Sequence, residues 1–520
     1  MISLCRSPEL FRCKKKTVSK SRAGERVTSP IGGYCVYTSW WVVRKGELWD
    51  MVELINSFPD FSGAFGDKRI EKRAAQVLQK LTMGRNSSLR QITQDNAEQK
   101  SFYRLFNNES FSEKEIEQSI IKRCVDLSKG RHLLCIQDTT EFNLSGHSGR
   151  VKPGSGLGKT SKSDVLGFML HSSLVVDRQR ATALGYSYIK TWERKEEAAD
   201  KHQRKYQQLP IDQKESYKWI EASKKSKELL DEAESITIVA DRESDIYDLL
   251  TLADRDKLHV LLRSSSNRSL AGGGTLAEHL LNLPVMHHYD LVLNGDVRKG
   301  IEKRTAHMAL KWSRVSVLRS KSKPSRGLPQ TVELYVVEAS EQGKRNGIYW
   351  RLLTSHIVED SKDAMQMIQW YKQRWHIEQI HRLLKTEGFR IERSQLERGW
   401  AIRKLTLLAM TATLRILQMM LAYEDDHEQP IDEVFDQDQR QCLTMMNKQL
   451  EGSTDKLKNP SSPDTLKWAT WIIGRLGGWK GYTSQRKPGP IVLQKGLARF
   501  YHVYEGWIVH QNFLKDVYTQ

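Results

Sequence analysis

One short segment of the chain, WYKQRWHIEQIHRLLK, carries four side chains that could handle a phosphodiester. They are Tyr371, Arg374, Glu378 and Lys385. On an α-helix of 3.6 residues per turn these four fall within an arc of about 60°, so one carboxylate shares a face with two cations and a phenol. Such a face could ligate a metal ion and hold a phosphate. An Arg four residues before a Glu is also common on a solvated helix face, so the segment alone leaves both interpretations open.

Two aspartates upstream could complete a metal site. Asp138 follows the apolar run 133–136, and Asp241 follows the apolar run 236–240. Each run predicts a buried strand, so we expect each Asp at the C-terminal end of a strand, which is the edge where ligands bind in open α/β sheets. Each Asp alone could equally be a helix cap.

Three carboxylates are a minimal ligand set for two hard divalent ions. Mg²⁺ and Mn²⁺ prefer carboxylate oxygens, and two ions about 3.5–4 Å apart can hold both the attacking and the leaving oxygen of an in-line displacement. We therefore predict that Asp138, Asp241 and Glu378 are the catalytic, metal-binding residues and that they converge on one site. The expected cofactor is Mg²⁺, for which Mn²⁺ can substitute, as two ions.

The order of three motifs points to a family. IQDTT, VADRESDI and YKQRWHIEQIHRLLKTEG resemble the three acidic motifs of the bacterial DDE transposases of the insertion-sequence-four family, specifically the cut-and-paste, hairpin-forming Tn-five type. FGDKRIEKRAAQVL and EQKSFYRLFNN are similar to that type's N-terminal domain. ESYKWIEA is similar to its pre-strand segment, and RLGGWKGY with the following PGP to its C-terminal domain. The resemblance spans residues 47–520.

The resemblance implies an α/β, ribonuclease-H-like catalytic core with helical domains on either side. Period-two alternation over 307–318 and 331–337 also predicts a β-rich block between the second and third acids, which resembles the insertion subdomain of this transposase type. The expected division is a weakly ordered basic extension (1–46), a helical transposon-end-binding domain (47–128), the catalytic core (129–265 and 351–425), the β-rich insertion (266–350) and a helical C-terminal domain for dimerisation and DNA contact (426–520).

The resemblance also assigns DNA-binding residues. Tyr371, Arg374 and Lys385 correspond to the family's phosphate-binding set beside the third acid. Arg263 stands where the family has an Arg that contacts DNA near the hairpin. Trp350 stands where the family has a Trp that stacks on a flipped base, although a Trp next to a strand is also often a core residue.

The implied activity is that of a DNA transposase. Such an enzyme binds the terminal inverted repeats, cleaves them by metal-dependent hydrolysis and hairpin formation, and joins the 3′-OH ends to target DNA, working as a homodimer in a synaptic complex. Two alternatives stay open from the sequence. One is an endonuclease with the same core and no strand transfer, and the other is a non-catalytic DNA-binding derivative.

Charge and patterning agree with a nucleic-acid partner. Lys+Arg number 82 against 63 Asp+Glu, a net charge of +19, which favours a polyanion through counterion release. Within a helical pattern from residue 54 to 127, basic residues share one face and are candidates for contacts with the transposon end. Basic residues on one face are also commonly just solvated. They are Lys68, Arg69, Lys72 and Arg73.

The sequence predicts no membrane partner. Its longest apolar stretch, 405–423, is interrupted by Arg415 and is typical of a core helix. The start of the chain has no basic, apolar and cleavage-site succession of a signal peptide. We therefore expect a cytoplasmic bacterial protein that associates with the nucleoid when bound to DNA.

Overall fold

Ten strands form one mixed sheet in the computed structural model of the chain. The predicted basic extension, 1–46, lies outside the described residues. The structure describes residues 59–83, 87–147, 149–151, 154–160, 165–194, 209–254, 256–293, 300, 302–320, 327–424, 429–482 and 487–518.

The strands follow one another along the sheet in the order β2-β3-β1-β5-β6-β10-β9-β8-β7, and β4 pairs with β3. Their bounds are β1 His132–Asn143, β2 Gly158–Lys159, β3 Leu166–Asp177, β4 Ala183–Trp192, β5 Ser235–Ala240, β6 Leu258–Arg263, β7 His287–Leu293, β8 Arg304–Leu318, β9 Thr331–Glu341 and β10 Tyr349–Thr354.

Five of these strands form the ribonuclease-H-like part of the sheet. β4, β3 and β1 are antiparallel neighbours, and β1, β5 and β6 run parallel to one another. Three antiparallel strands followed by parallel ones is the arrangement expected of that core. The predicted fold class is therefore confirmed.

The β-rich block between the second and third acids extends the same sheet. β7, β8 and β9 form an antiparallel meander. β10 then pairs with β9 on one side and with β6 of the core on the other. The expected boundary between residues 350 and 351 falls inside β10, so this strand belongs to both parts.

Helices cover the sheet and make up most of the described residues before β1 and after β10. Their bounds are α1 Lys68–Met83, α2 Leu89–Ile92, α3 Asn96–Phe106, α4 Glu113–Ser128, α5 Tyr217–Leu229, α6 Tyr247–Leu250, α7 Leu276–Asn282, α8 Ser361–Lys372, α9 Trp375–Arg382, α10 Gly399–Glu424, α11 Gln437–Leu450, α12 Leu466–Leu476 and α13 Pro490–Tyr518.

β1 contributes to two hydrophobic cores because successive side chains of a strand face opposite sides of the sheet. Leu134 and Ile136 pack in a core with residues of α8, α9 and α10. Leu133 and Cys135 pack in a second core with residues of α5 and α6. A third core joins α11, α12 and α13. By the same alternation, Asp138 faces the side of α8, α9 and α10.

The central helix α10 is apolar and surrounded by protein. It is the one described helix long and apolar enough to cross a membrane, and 94% of its most apolar stretch is buried inside the protein. A helix that is apolar all round is expected in the core of a large domain. The prediction of a core helix over 405–423 is therefore confirmed.

The prediction that Asp138 ends a strand is wrong. β1 continues for five residues beyond it, to Asn143, because its pairing with β3 continues from Asp138 opposite Ser172 to Asn143 opposite Gly167. Only the pairing with β5 stops early, at Ile136. Asp138 therefore lies in mid-strand, beside a stretch of β1 edge that β5 does not cover.

The burial of α10 gives a stability prediction. Leu408 is fully buried in the first core, so Leu408→Ala should lower the free energy of unfolding by about 2–5 kcal/mol through lost contacts and a residual cavity. Met445→Ala is the control, because that side chain is 54% exposed and should change stability by less than about 0.5 kcal/mol. Urea unfolding of the two variants checks this, and equal losses would contradict it.

Candidate active site

Two aspartates occupy equivalent positions at one edge of the parallel strands. β5 ends at Ala240, and Asp241 follows it directly. The last residues paired between the strands are Ile136 and Val239, so Asp138 and Asp241 each lie two residues further on. The Asp241 carboxylate also caps the turn that follows, accepting the Glu243 N–H at 3.0 Å. The predicted position of Asp241 is confirmed.

The segment with the third acid is not one continuous α-helix. α8 ends at Lys372, a turn at Gln373 and Arg374 follows, and α9 begins at Trp375. The last part, Leu383–Glu387, is a π-helical turn. The expected single helical face is therefore wrong in detail, because a turn and a π-helical segment interrupt the α-helix.

Arg374 lies between two of the predicted metal ligands. Its Nη2 donates to the Glu378 carboxylate, and its Nη1 lies 3.9 Å from Asp138 Oδ2. Both side chains are largely buried, with Asp138 17% and Glu378 28% exposed. The guanidinium offsets the repulsion between these carboxylates, because opposite charges in a partly desolvated site interact more strongly than in water.

The environment of Asp138 disfavours its ionised form. Burial, together with the negative charges of Asp241 and Glu378, raises the pKa of Asp138 to about 7, while the Thr139 N–H and Arg374 act to lower it. Asp241 and Glu378 therefore both lie near enough for their charges to act on Asp138. Adding positive charge at this site would favour the ionised carboxylate.

His381 is a further neighbour that the sequence did not reveal. Its Nδ1 lies 3.7 Å from Asp138 Oδ2. Burial lowers the pKa of His381 to about 3, so the ring is neutral, and its buried Nε2 has no hydrogen-bond partner in the part of the chain that the structure describes. Its position three residues after Glu378, one turn along α9, is the signal that could have identified it.

The DNA-contact residues predicted from the resemblance form a second group beside the acids. The rings of Trp350 and Tyr371 meet edge to face with centroids 5.7 Å apart. Tyr371 is buried. Burial raises the pKa of Tyr371, whereas the nearby charges of Arg374 and Arg263 lower it. Arg263, at the end of β6, donates to the Tyr349 carbonyl at 2.9 Å.

Lys385 also points towards the acids. Its ammonium lies 5.5 Å from the centre of the Phe142 ring. Burial lowers the pKa of Lys385, and the negative charges of Glu392, Glu141 and Asp138 act to raise it. The charges of Arg374 and Lys385 therefore act on Asp138, whereas the charges that act on Tyr371 are those of Arg374, Arg263 and Asp241.

The three carboxylates, Asp138, Asp241 and Glu378, are ligands of the chemical type that divalent cations prefer. Among the described residues, no three Asp, Glu, His or Cys side chains lie close enough together to hold a metal ion. Burial and the charges of Asp241 and Glu378 nevertheless raise the pKa of Asp138, and Arg374 supplies a positive charge between Asp138 and Glu378. Hard oxygen donors of this kind fit Mg²⁺ or Mn²⁺. Asp138, Asp241 and Glu378 are the residues that would hold the ion.

The basic residues of the N-terminal helix lie apart from this site in sequence. Lys68, Arg69 and Lys72 are exposed on α1, and Arg73 is half-buried. The opposite face of α1 packs through Ala74 and other apolar residues. Arg69 pairs with Asp67 at 3.0 Å, so part of its charge is used within the chain.

Family models match two parts of the chain. Residues 207–415 match a model described as a transposase DDE domain. The chain contains a transposase DDE domain. Residues 62–111 match a model of a transposase DNA-binding domain, which includes the basic face of α1. These matches support a DNA transposase, an enzyme of transposition that acts on DNA. DDE domains in general depend on divalent metal ions.

The DDE match covers Asp241 and Glu378 but begins after Asp138. The assignment of Asp138 therefore rests on its geometry and on the motif IQDTT. Among solved structures, the chain is similar to a cryo-EM structure of a piggyBac transposase synaptic complex with hairpin DNA. The two are 13% identical with a TM-score of 0.33, over 73% of this chain and 79% of that one.

Asp245, the last acidic residue of the DRESDI motif, has a structural role. The Asp245 carboxylate accepts hydrogen bonds from the backbone N–H groups of Ser265 and Ser266, at 2.7 and 2.8 Å. It also pairs with Arg268, and its side chain is only 1% exposed. Asp245 thereby fixes the segment that follows Arg263. No sequence pattern distinguishes this acid from Asp241, four residues earlier.

Substitutions of Asp241 and Asp245 should differ in their effect on the free energy of unfolding. Asp245→Ala removes one partner of a buried ion pair and should lower the free energy of unfolding by about 3–5 kcal/mol. Asp241→Ala removes only a turn cap and should cost about 1 kcal/mol. Thermal melts of the two variants test the difference. If Asp241→Ala proves the more destabilising, the assignment of structural and functional roles is reversed.

Proposed function

We propose that this protein is a cut-and-paste DNA transposase of the Tn-five type within the insertion-sequence-four family. One observation carries the proposal: within and beside a DDE domain, Asp138 and Glu378 share the cation Arg374, and Asp241 lies at the equivalent position of the neighbouring strand. The order of the motifs in the sequence supports the narrower family assignment.

In this proposal the carboxylates form the reaction centre. Asp138, Asp241 and Glu378 hold Mg²⁺, as two ions. Bound there, the metal supplies positive charge at the phosphodiester and acidifies the attacking water. Arg374 is paired with acids in the free protein and is placed to grip an arriving phosphate bidentately. Lys385 adds a second positive charge on the same side.

The next step uses the 3′-OH that hydrolysis frees at the transposon end. This hydroxyl attacks a phosphodiester of the opposite strand, which forms a hairpin and releases the flanking DNA. Reopening by water restores the 3′-OH, which then joins target DNA. A flipped base stacks on Trp350 during hairpin formation, and Tyr371 and Arg263 hold the backbone next to it. The grouping of these three side chains supports this step.

End recognition and assembly complete the proposal. The basic face of α1, with Lys68, Arg69, Lys72 and Arg73, contacts the transposon end. Two copies of the chain act together in a synaptic complex. The match of residues 62–111 to a transposase DNA-binding domain supports the first part. The second part rests on the family resemblance.

Glu378→Ala separates chemistry from binding. The variant should lose end cleavage, because one metal ligand is gone, and should keep DNA affinity, because phosphate contacts elsewhere supply most of the binding. Gel shift and cleavage assays on inverted-repeat duplexes measure both. Glu228→Ala is the control, since that carboxylate is exposed and pairs only with Lys225 in the described contacts. Parallel loss of binding and cleavage in Glu378→Ala would show a structural role for Glu378.

Trp350→Ala tests the hairpin step in particular. Stacking of a flipped base contributes about 1–3 kcal/mol, and the first nick does not need it. The variant should therefore slow hairpin formation by roughly 10- to 100-fold while sparing the first nick. A strand-resolved cleavage time course on an end-labelled duplex measures both rates.

A buried tryptophan elsewhere provides the contrast for that experiment. Trp471 is fully buried in the C-terminal core, so Trp471→Ala should lower the melting temperature and slow both steps together. The same behaviour in Trp350→Ala would show that Trp350 is a core residue. Cleavage without any joining to target DNA in the unmodified protein would point to an endonuclease instead.

A further inference from the structure

Ser172 faces the candidate site from the strand beside Asp138. The two residues are directly opposite each other in the antiparallel pair of β1 and β3, so their side chains lie on the same face, with Cβ atoms about 4.5–5.5 Å apart. Ser172 is fully buried, and its hydroxyl has no hydrogen-bond partner among the described residues. A buried hydroxyl without a partner costs stability, so its presence needs a reason.

The Asp138 carboxylate has unused capacity to accept hydrogen bonds. A carboxylate offers about four lone-pair sites. In the described part of the chain, Asp138 accepts one hydrogen bond, from the Thr139 N–H at 2.8 Å. Arg374 and His381 lie at 3.9 and 3.7 Å from Oδ2, too far for hydrogen bonds. An unpaired donor and an under-used acceptor therefore lie next to each other.

The neighbouring serine, Ser173, has hydrogen-bond partners. Ser173 is equally buried, but it faces the other side of the sheet. Its hydroxyl accepts a hydrogen bond from Ser187 at 3.0 Å and lies 3.5 Å from the Ser226 hydroxyl. Ser173 thus has partners within a structural network, whereas Ser172 has none.

We propose that Ser172 is a positioning residue for the metal site. Its hydroxyl would donate to the Asp138 carboxylate when that carboxylate serves as a metal ligand. The full burial of Ser172 keeps it from touching DNA, so it acts through Asp138. This inference rests on the proposed function, because it takes Asp138 to be a metal ligand. Hydrogen bonds to ligating carboxylates orient them and raise metal affinity.

The test compares Ser172→Ala with Ser173→Ala in the full-length chain. Binding of Mn²⁺ is measured by the paramagnetic resonance signal of the free ion, and stability by thermal melting. Ser172→Ala should weaken Mn²⁺ binding by about 10-fold and leave the melting temperature unchanged or higher, because it removes an unsatisfied buried group. Ser173→Ala should lower the melting temperature and leave Mn²⁺ affinity unchanged.

Asp138→Ala distinguishes failure of this inference from failure of the proposed function. Loss of Mn²⁺ binding in Asp138→Ala with no change in Ser172→Ala overturns only the role of Ser172. Unchanged Mn²⁺ binding in Asp138→Ala overturns the metal site itself, and the inference with it. A lower melting temperature in Ser172→Ala with unaltered Mn²⁺ affinity shows that the hydroxyl is structural.

Discussion

Arg374 lies between Asp138 and Glu378 and offsets the repulsion of two carboxylates that the fold brings together. Much of the local structure follows from this contact. The guanidinium reaches Glu378 one turn further along the chain and Asp138 on the neighbouring strand β1, from the turn between α8 and α9. Asp138 lies beyond the point where β5 stops pairing with β1, at Ile136, while the pairing with β3 continues.

Unsatisfied polar atoms gather around the same contact. Within the described residues, buried groups without a hydrogen-bond partner include the Ser172 hydroxyl, the Gln373 amide oxygen and the His381 Nε2. Each residue adjoins or faces Asp138 or Arg374. In a stable core such groups are costly, and functional sites are where proteins tolerate them. Their grouping is therefore a further indication that this part of the fold is a functional site.

Local sequence patterns predicted the strands and the core helix, because continuous apolar runs are typical of buried elements. They also placed Asp241 correctly, since its strand ends where the apolar run ends. The extension of β1 past Asp138 could not be read from the polar residues TTEFN, because it depends on pairing with a distant strand, β3. The roles of Ser172 and Asp245 could not be predicted from local patterns either, because the residues they face or pair with are distant in the sequence.

The shared strand β10 has a mechanical consequence. Because it is hydrogen-bonded to β9 on one edge and to β6 on the other, the meander and the core share one continuous sheet. We therefore expect a displacement of β7–β9 to shift β10 and β6 with it, and with them Trp350 and Arg263. A molecule bound at the far edge of the sheet could in this way act on side chains near the acids.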